Sequence, residues 1–275
     1  MKFCTGLIAV LIISLFASQA QANDRKIKVQ APGNANTTME VKIATVDTKT
    51  VGDLMTETVT INLAAADVMN AMTKAAAIAA AINAQASNVT AAVDATDKTK
   101  VIITSVAGRS ISRVDARPLK SGERDMLAAL GPADGENPNG TALVGLDLTG
   151  TGSQAGTAEV DIAGTPFSVS TSNNELNTSV LDDLMTDINT TSSVYTADVV
   201  GDELQISGSV LGNDFSAFVS DAVGSQGYSY GFFEQSFPQP TPEPAALALT
   251  AVAAVGGLAM RKRLRSRPDR FASRS

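Results

Sequence analysis

"SVLDDLMTDINTTSSVYTADVVGDELQIS", residues 179–207, holds two periods in one line. In its first half Val180, Leu181, Leu184, Met185 and Ile188 fall on one face of a helix. Asn177, Thr178 or Ser179 can cap that helix, and Asp182 and Asp183 suit the positive end of its dipole. The second half alternates, with Gly201-Asp202 as turn residues, which predicts a hairpin. Just upstream "AEVDIAGTPFSVST", residues 158–171, alternates around Gly164-Thr165 and predicts another. The order is β-β-α-β-β. A helix on a four-stranded antiparallel sheet would bury both apolar faces with short connections.

The same order recurs nearer the N-terminus. "EVKIA" (40–44) is echoed by "EVDIA" (159–163), and "VIITS" (101–105) corresponds to "LQISG" (204–208). Ile82-Asn83 precedes Thr90-Ala91 by the same spacing that separates Ile188-Asn189 from Thr196-Ala197. An internal duplication is the reading. The first copy's helix is expected over 65–85, with Val68, Met72, Ala75, Ala79 and Ile82 in one stripe. That copy holds no aromatic residue and is expected to be the less stable half. The fold class expected is α+β: two tandem β-β-α-β-β modules, an N-terminal signal helix and a C-terminal transmembrane helix. With Ile-Asn closing the helix and Thr-Ala opening the next strand, the plan resembles the flagellin IN-type module of flagellins and hook-cap proteins. That resemblance implies a non-catalytic module decorating a surface. The coiled-coil termini that polymerise flagellins are missing, so a flagellar role is not expected.

The expected division is a signal peptide (1–22), a flexible segment (23–39), a first module (40–108), a connector (109–140) and a second module (141–220). A spacer (221–241), a sorting segment with its helix (242–265) and a basic tail (266–275) follow. The connector carries Pro and Gly punctuation, and "TALVGLDLTG" (141–150) after it is expected to add an edge strand to the second module. "YSYGFFEQSF" (228–237) gathers five aromatics in ten residues. It reads either as a strand packed on the second module or as a carbohydrate-stacking patch. "PQPTPEP" beyond it should be extended and stiff.

Both ends of the chain carry addresses. Lys2, the apolar run 6–17 and "AQA" at 20–22 form a leader, with Ala20 and Ala22 as the small residues a signal peptidase accepts. Cleavage there removes Cys4, the only cysteine, so disulfides and cysteine catalysis are not expected of the mature chain. At the other end residues 245–260 would make a helix of roughly 24 Å, short of the roughly 30 Å hydrocarbon core. Arg261, Lys262, Arg263 and Arg265 follow and would stay cytoplasmic. Pro242-Glu243-Pro244, the Ala/Leu/Gly run and the arginines resemble the tripartite PEP-CTERM sorting signal of Gram-negative bacteria. The resemblance covers about the last 35 residues, with "SRPDRFASRS" trailing. It implies an exosortase that recognises Pro242, Glu243 and Pro244 and detaches the anchor. The chain's partners would then be the Sec translocon, signal peptidase, an exosortase and, transiently, the inner membrane, with release to the cell surface or extracellular matrix.

Chemistry is hard to find in between. The chain has no histidine, and its formal charge of −7 understates an acidic body, because the basic residues concentrate after Met260. Such a body repels nucleic acid. Asp182 and Asp183 are adjacent and point to different helix faces, so they do not share a substrate easily. The acidic turns 133–137 and 212–214 lack the spacing of a calcium loop. No catalytic residue, metal site or cofactor is expected. The function expected is a non-enzymatic exported surface or matrix protein associated with exopolysaccharide. The second reading is an adhesin or carbohydrate-binding module that uses Tyr228, Tyr230, Phe232 and Phe233.

Overall fold

Two seven-stranded antiparallel sheets face each other in the computed structural model, which describes residues 24–30, 37–50, 52–67, 69–118, 127–133, 142–208, 215–220 and 227–236. The first half runs β1 (Arg25–Lys28), β2 (Thr37–Asp47), β3 (Leu54–Leu63), α1 (Ala71–Gln85), β4 (Val89–Val93), β5 (Lys100–Ser105), β6 (Arg109–Pro118) and β7 (Ala129–Pro132). The second runs β8 (Ala142–Thr149), β9 (Gly156–Ile162), β10 (Thr165–Thr171), α2 (Asn177–Thr191), β11 (Tyr195–Val200), β12 (Glu203–Gly208), β13 (Phe215–Val219) and β14 (Ser229–Ser236). No described helix is long and apolar enough to cross a membrane. The leader, the sorting segment and their residues Ala20, Ala22, Pro242, Glu243, Pro244, Arg261, Lys262, Arg263 and Arg265 lie outside the described residues.

The first sheet is ordered β10-β9-β13-β7-β1-β5-β4 and the second β3-β2-β6-β14-β8-β12-β11. Shift every strand number by seven and one order becomes the other. The internal repeat is therefore seven strands and a helix, longer than the β-β-α-β-β unit legible in the sequence. The chain is α+β as expected, but the modules are not separate helix-on-sheet units. In each half the hairpin before the helix lies in one sheet and the hairpin after it lies in the other. A 15-residue helix offers one apolar stripe, whereas a seven-stranded sheet has a broad apolar face that a second sheet covers better.

That architecture moves several expected boundaries. The segment 23–39 supplies β1, which sits inside the first sheet between β7 and β5 and buries Arg25, Lys26 and Ile27. The connector 109–140 supplies β6 and β7, both internal. β8 is no edge strand, because it pairs β12 on one side and β14 on the other. The spacer 221–241 supplies β14, the middle strand of the second sheet. Since both halves contribute to both sheets, they share one core, and neither has a core of its own to be more or less stable.

The helices close the open sides of this sandwich. α1 lies against β3 of the second sheet and β4 and β5 of the first, while α2 lies against β10 and β11. α1 starts at Ala71, later than the stripe predicts, because the Asn70 side chain accepts a hydrogen bond from the Thr73 N–H at 2.9 Å and caps it there. It buries Lys74, Ala75, Ile78, Ala79 and Ile82 and leaves Met72 half exposed. α2 buries Val180, Leu181, Leu184 and Ile188. It has no side-chain cap: Asn177 instead donates to the Leu148 carbonyl and the Asp202 carboxylate, both at 2.7 Å.

The repeated Ile-Asn and Thr-Ala pairs now have a mechanical reason. Ala91 and Ala197 turn their backbone N–H and C=O outward from the edge strands β4 and β11. The Asn83 amide donates to the Ala91 carbonyl at 2.7 Å and accepts from its N–H at 2.8 Å. Asn189 does the same for Ala197, at 2.9 and 2.8 Å. Each asparagine thus satisfies an exposed strand edge that would otherwise invite another chain to pair. Gln85 closes the β3 edge in the same way, bonding both backbone groups of Thr60.

Candidate functional site

The aromatic segment is not a surface patch. Tyr228, Tyr230, Phe232 and Phe233 are all buried, at 0%, 9%, 2% and 1% exposure. Phe232 points between the sheets and meets Phe215 of β13 edge to face, with ring centres 5.9 Å apart. The carbohydrate-stacking reading of these four residues is set aside, and the packed-strand reading describes them. Strand alternation explains why: β14 lies mid-sheet, so one face looks into the core. On its other face Phe233 is roofed by the Arg113 guanidinium, 4.2 Å from its ring centre.

That outer face of the second sheet carries a connected set of charges. Glu40 of β2 stands opposite Arg117 of β6, and Lys42 opposite Asp115. Arg117 reaches Glu40 at 3.0 Å and Asp147 of β8 at 3.7 Å, and Lys42 reaches Glu40 at 3.3 Å. Arg113 crosses Phe233 to link Asp115 and Glu203, both at 2.7 Å. Glycine makes room for this arrangement. A Cβ on Gly145 would fall 2.3 Å from the Phe233 ring, and one on Gly231 would fall 2.6 Å from the Arg117 Cβ. Burial works to raise the Glu40 carboxyl, but the hydrogen bonds from Arg117 and Lys42 outweigh it and hold the group below its usual range. Asp115 and Asp147 are raised by burial despite their arginines.

The matching face of the first sheet is built differently. Glu159 of β9 corresponds to Glu40 through the repeated EV-x-IA stretch, and it stands opposite Phe218 of β13, where Glu40 faces Arg117. Asp161 stands opposite Ser216, where Lys42 faces Asp115. Among the described residues neither Glu159 nor Asp161 has an ion pair. Phe218 is 46% exposed, the half's large aromatic on the outside. An open groove of about 200 Å³ lies beside this face, lined by Gln30, Leu127, Glu159, Asp161, Ser216 and Phe218 and by Tyr230 of the second sheet. Of these the sequence singles out Tyr230 alone. The available signal was the substitution of Phe218 for a cation between otherwise similar copies, which needs the β6–β13 equivalence to be seen.

A buried ion pair joins the first and last strands. Arg25 Nε lies 2.8 Å from Glu234 Oε2, with both side chains essentially unexposed. Arg25 also donates to the Asp24 carbonyl at 3.0 Å and to Ser236 Oγ at 2.5 Å, and Ser236 donates to the Ile111 carbonyl at 3.1 Å. The approach to Glu234 lies off the hydrogen-bonding direction, so neither of its oxygens has a hydrogen bond among the described residues. Burial pushes the Glu234 carboxyl up to about 7, with Arg25 and Lys26 pulling the other way.

The remaining sequence candidates offer no assembled chemistry. Asp182 and Asp183 are exposed on α2. Residues 134–137 and 212–214 lie outside the described set, and no group of three metal-binding side chains occurs within it. No family model matches the chain, and no curated protein matches it. Among solved structures it is similar to the flagellar cap protein FliD from Helicobacter pylori, at 10% identity and a TM-score of 0.22. That match covers 76% of this chain and 60% of the cap protein, so this chain spans about three-fifths of that length. A likeness so slight fixes neither fold nor role.

Proposed function

We propose that this chain is an exported, exosortase-processed cell-surface or extracellular-matrix protein without catalytic activity, retained among exopolysaccharide. The observation that carries the proposal is the order Pro242-Glu243-Pro244, short apolar run, Arg261, Lys262, Arg263 and Arg265, in a chain that opens with a leader ending at Ala22. In this reading the signal peptidase and the Sec translocon deliver the body. The inner membrane holds it by a helix too short to be a firm anchor, and an exosortase releases it at the outer surface of a Gram-negative cell.

The position of the body supports this reading. Its first strand opens at Arg25, just past Ala22, and its last closes at Ser236, shortly before Pro242. Both processing points therefore flank the fold without cutting it. Arg25 and Ser236 are hydrogen-bonded to each other, so the start of the first strand and the end of the last meet at one place in the sandwich. The test is to replace Arg261, Lys262, Arg263 and Arg265 together by alanine and fractionate the cells. The expected result is uncleaved protein held in the inner membrane or misplaced. Normal release of that variant would overturn the proposal.

A further inference from the structure

We propose that the open edge of β3 pairs with the same strand of a second copy of this chain, antiparallel and centred on Thr56, so that two sandwiches share one continuous sheet. The pairing goes beyond the export reading and does not depend on it.

The strands at the sheet edges are β10 and β4 in the first sheet and β3 and β11 in the second, and they are not closed alike. On β4 and β11 the asparagines hold Ala91 and Ala197. On β11 the N–H groups of Tyr195 and Val199 also donate, to Ser192 Oγ and to the Asp198 carboxylate. On β10 Pro166 has no N–H to offer, and the Ser168 N–H donates to Asp187 at 3.2 Å. Gln85 holds β3 at Thr60. Backbone groups alternate in direction along an antiparallel strand, so Leu54, Thr56 and Thr58 turn theirs outward as Thr60 does. Among the described residues the N–H groups of Thr56 and Thr58 have no partner, and both residues are exposed. Leu54 and Met55 beside them are 60% and 44% exposed. The stretch 54–58 carries no lysine or proline to discourage pairing.

The second half shows the same hairpin with its edge blunted. Ser168 stands opposite Glu159 where Thr60 stands opposite Glu40, so β10 corresponds to β3. On that alignment Pro166 takes the place of Thr58. β10 begins at Thr165, just past the turn at Gly164, so Leu54, Met55 and Thr56 have no counterpart in it. β3 instead runs from Leu54, paired with β2 all the way. The hairpin is longer in the first half by residues whose edge is open.

Charge and Gln85 fix the register. Outward-facing residues must meet one another across a two-fold axis. A centre on Glu57 would oppose two carboxylates, and a centre on Met55 would oppose Asp53 to Glu57. A centre on Thr58 would bring Thr56 against Thr60, whose groups Gln85 already holds, and a centre on Leu54 would bring Thr56 against the Gly52 turn. The centre on Thr56 avoids all of these. Thr56 meets itself and exchanges both backbone hydrogen bonds, each Thr58 N–H donates to a Leu54 carbonyl, and Met55 lies opposite Glu57. That fit of the segment to its own sequence selects a second copy over a foreign strand. Pairing uses up the open edge of both copies, so assembly stops at two. The contact is smaller than the roughly 1,000 Å² of a lasting interface, so the dimer is weak and forms where copies are crowded.

The experiment is disulfide trapping of the purified full-length chain in mild detergent, with Cys4→Ser removing its natural thiol. Thr56→Cys sets two thiols across the axis at the spacing of a hydrogen-bonded pair, within reach of a disulfide. Oxidation should give a band of twice the mass. Thr58→Cys alone, off the axis, should give none, whereas Leu54→Cys combined with Thr58→Cys should trap the dimer again. Without engineered thiols, light scattering over a concentration series should show monomer passing to dimer and no further. Thr58→Pro, which copies Pro166, removes a hydrogen bond at each end and should weaken association about tenfold or more. Thermal unfolding checks that it folds, and Thr56→Lys, which sets two lysines face to face, should weaken association as well. A monomer at every concentration, trapping through Thr58→Cys as strong as through Thr56→Cys, association untouched by Thr58→Pro and Thr56→Lys, or growth beyond the dimer each overturns the inference. So does oxidation in an extract of the producing cells that joins Thr56→Cys to another protein and not to its copy, which would give the edge to a foreign strand.

Discussion

Glu40 and Glu159 occupy equivalent positions in the two halves and live under opposite conditions. Glu40 is enclosed by Arg117 and Lys42, while Glu159 has Phe218 across from it and a second carboxylate, Asp161, on its own strand. The strand pairing beneath them is the same. The difference shows that the scaffold tolerates either a closed charge network or an open acidic groove on the same pleat, so duplication left one face free to change. In the core, one difference between the halves is a matched pair: Arg25 stands opposite Pro132 in the first sheet, and Val144 stands opposite Glu234 in the second. A cation entered one half and an anion the other, and they meet.

The largest break in the comparison should come from that pair. Above about pH 7, where Glu234 is ionised, Arg25→Met leaves it buried without its counter-charge and should cost about 3–5 kcal/mol by denaturant unfolding. Changing both, Arg25→Val with Glu234→Leu, restores an apolar match between the halves and should recover most of the loss. If the single and double variants are equally unstable, the ion pair is not what the core depends on there.

Next in size is a pH effect. The folded chain holds the Glu234 proton up to about 7, against an ordinary value of 4.5. Between those values the folded state binds more protons than the unfolded one, so stability falls as pH rises. The contribution is complete below about 4.5 and lost above about 7, with a span of up to about 3 kcal/mol. Unfolding measured across that window should slope downward in the wild type and be markedly flatter in Glu234→Gln.

Smaller effects should be shared equally between the halves. Asn83→Ala and Asn189→Ala each strip two hydrogen bonds from a strand edge and should cost about 1–3 kcal/mol apiece. Unequal losses would mean that the two helices do not close their edges in the same way. Smallest of all, Arg117→Phe copies the open face onto the second sheet. Because that ion pair is half exposed, it should cost about 1 kcal/mol or less in thermal unfolding.

What the sequence disclosed follows from which signals are local. The α2 stripe, the hairpins around it and the Ile-Asn…Thr-Ala spacing are set by residues close in the chain, and all are present. The two asparagines were visible as a repeat, but their task of sealing strand edges needs the fold. Long-range pairing was not legible. Nothing in "RKIK" distinguishes a central strand from a polar leader remnant, since its burial depends on β5, β7 and the distant Glu234. The assignment of each hairpin to one sheet or the other is equally non-local. The groove escaped notice because its decisive residue, Phe218, lies in a short strand without a repeated motif, while the conspicuous aromatics at 228–233 serve the core.

Intact-mass measurement of the protein recovered from outside its cells bears on the export account at both ends at once. The account predicts a polypeptide that starts at Asn23 and stops near Pro244, with the whole sandwich from Arg25 to Ser236 retained. A mass that still includes Arg261, Lys262, Arg263 and Arg265 would contradict it.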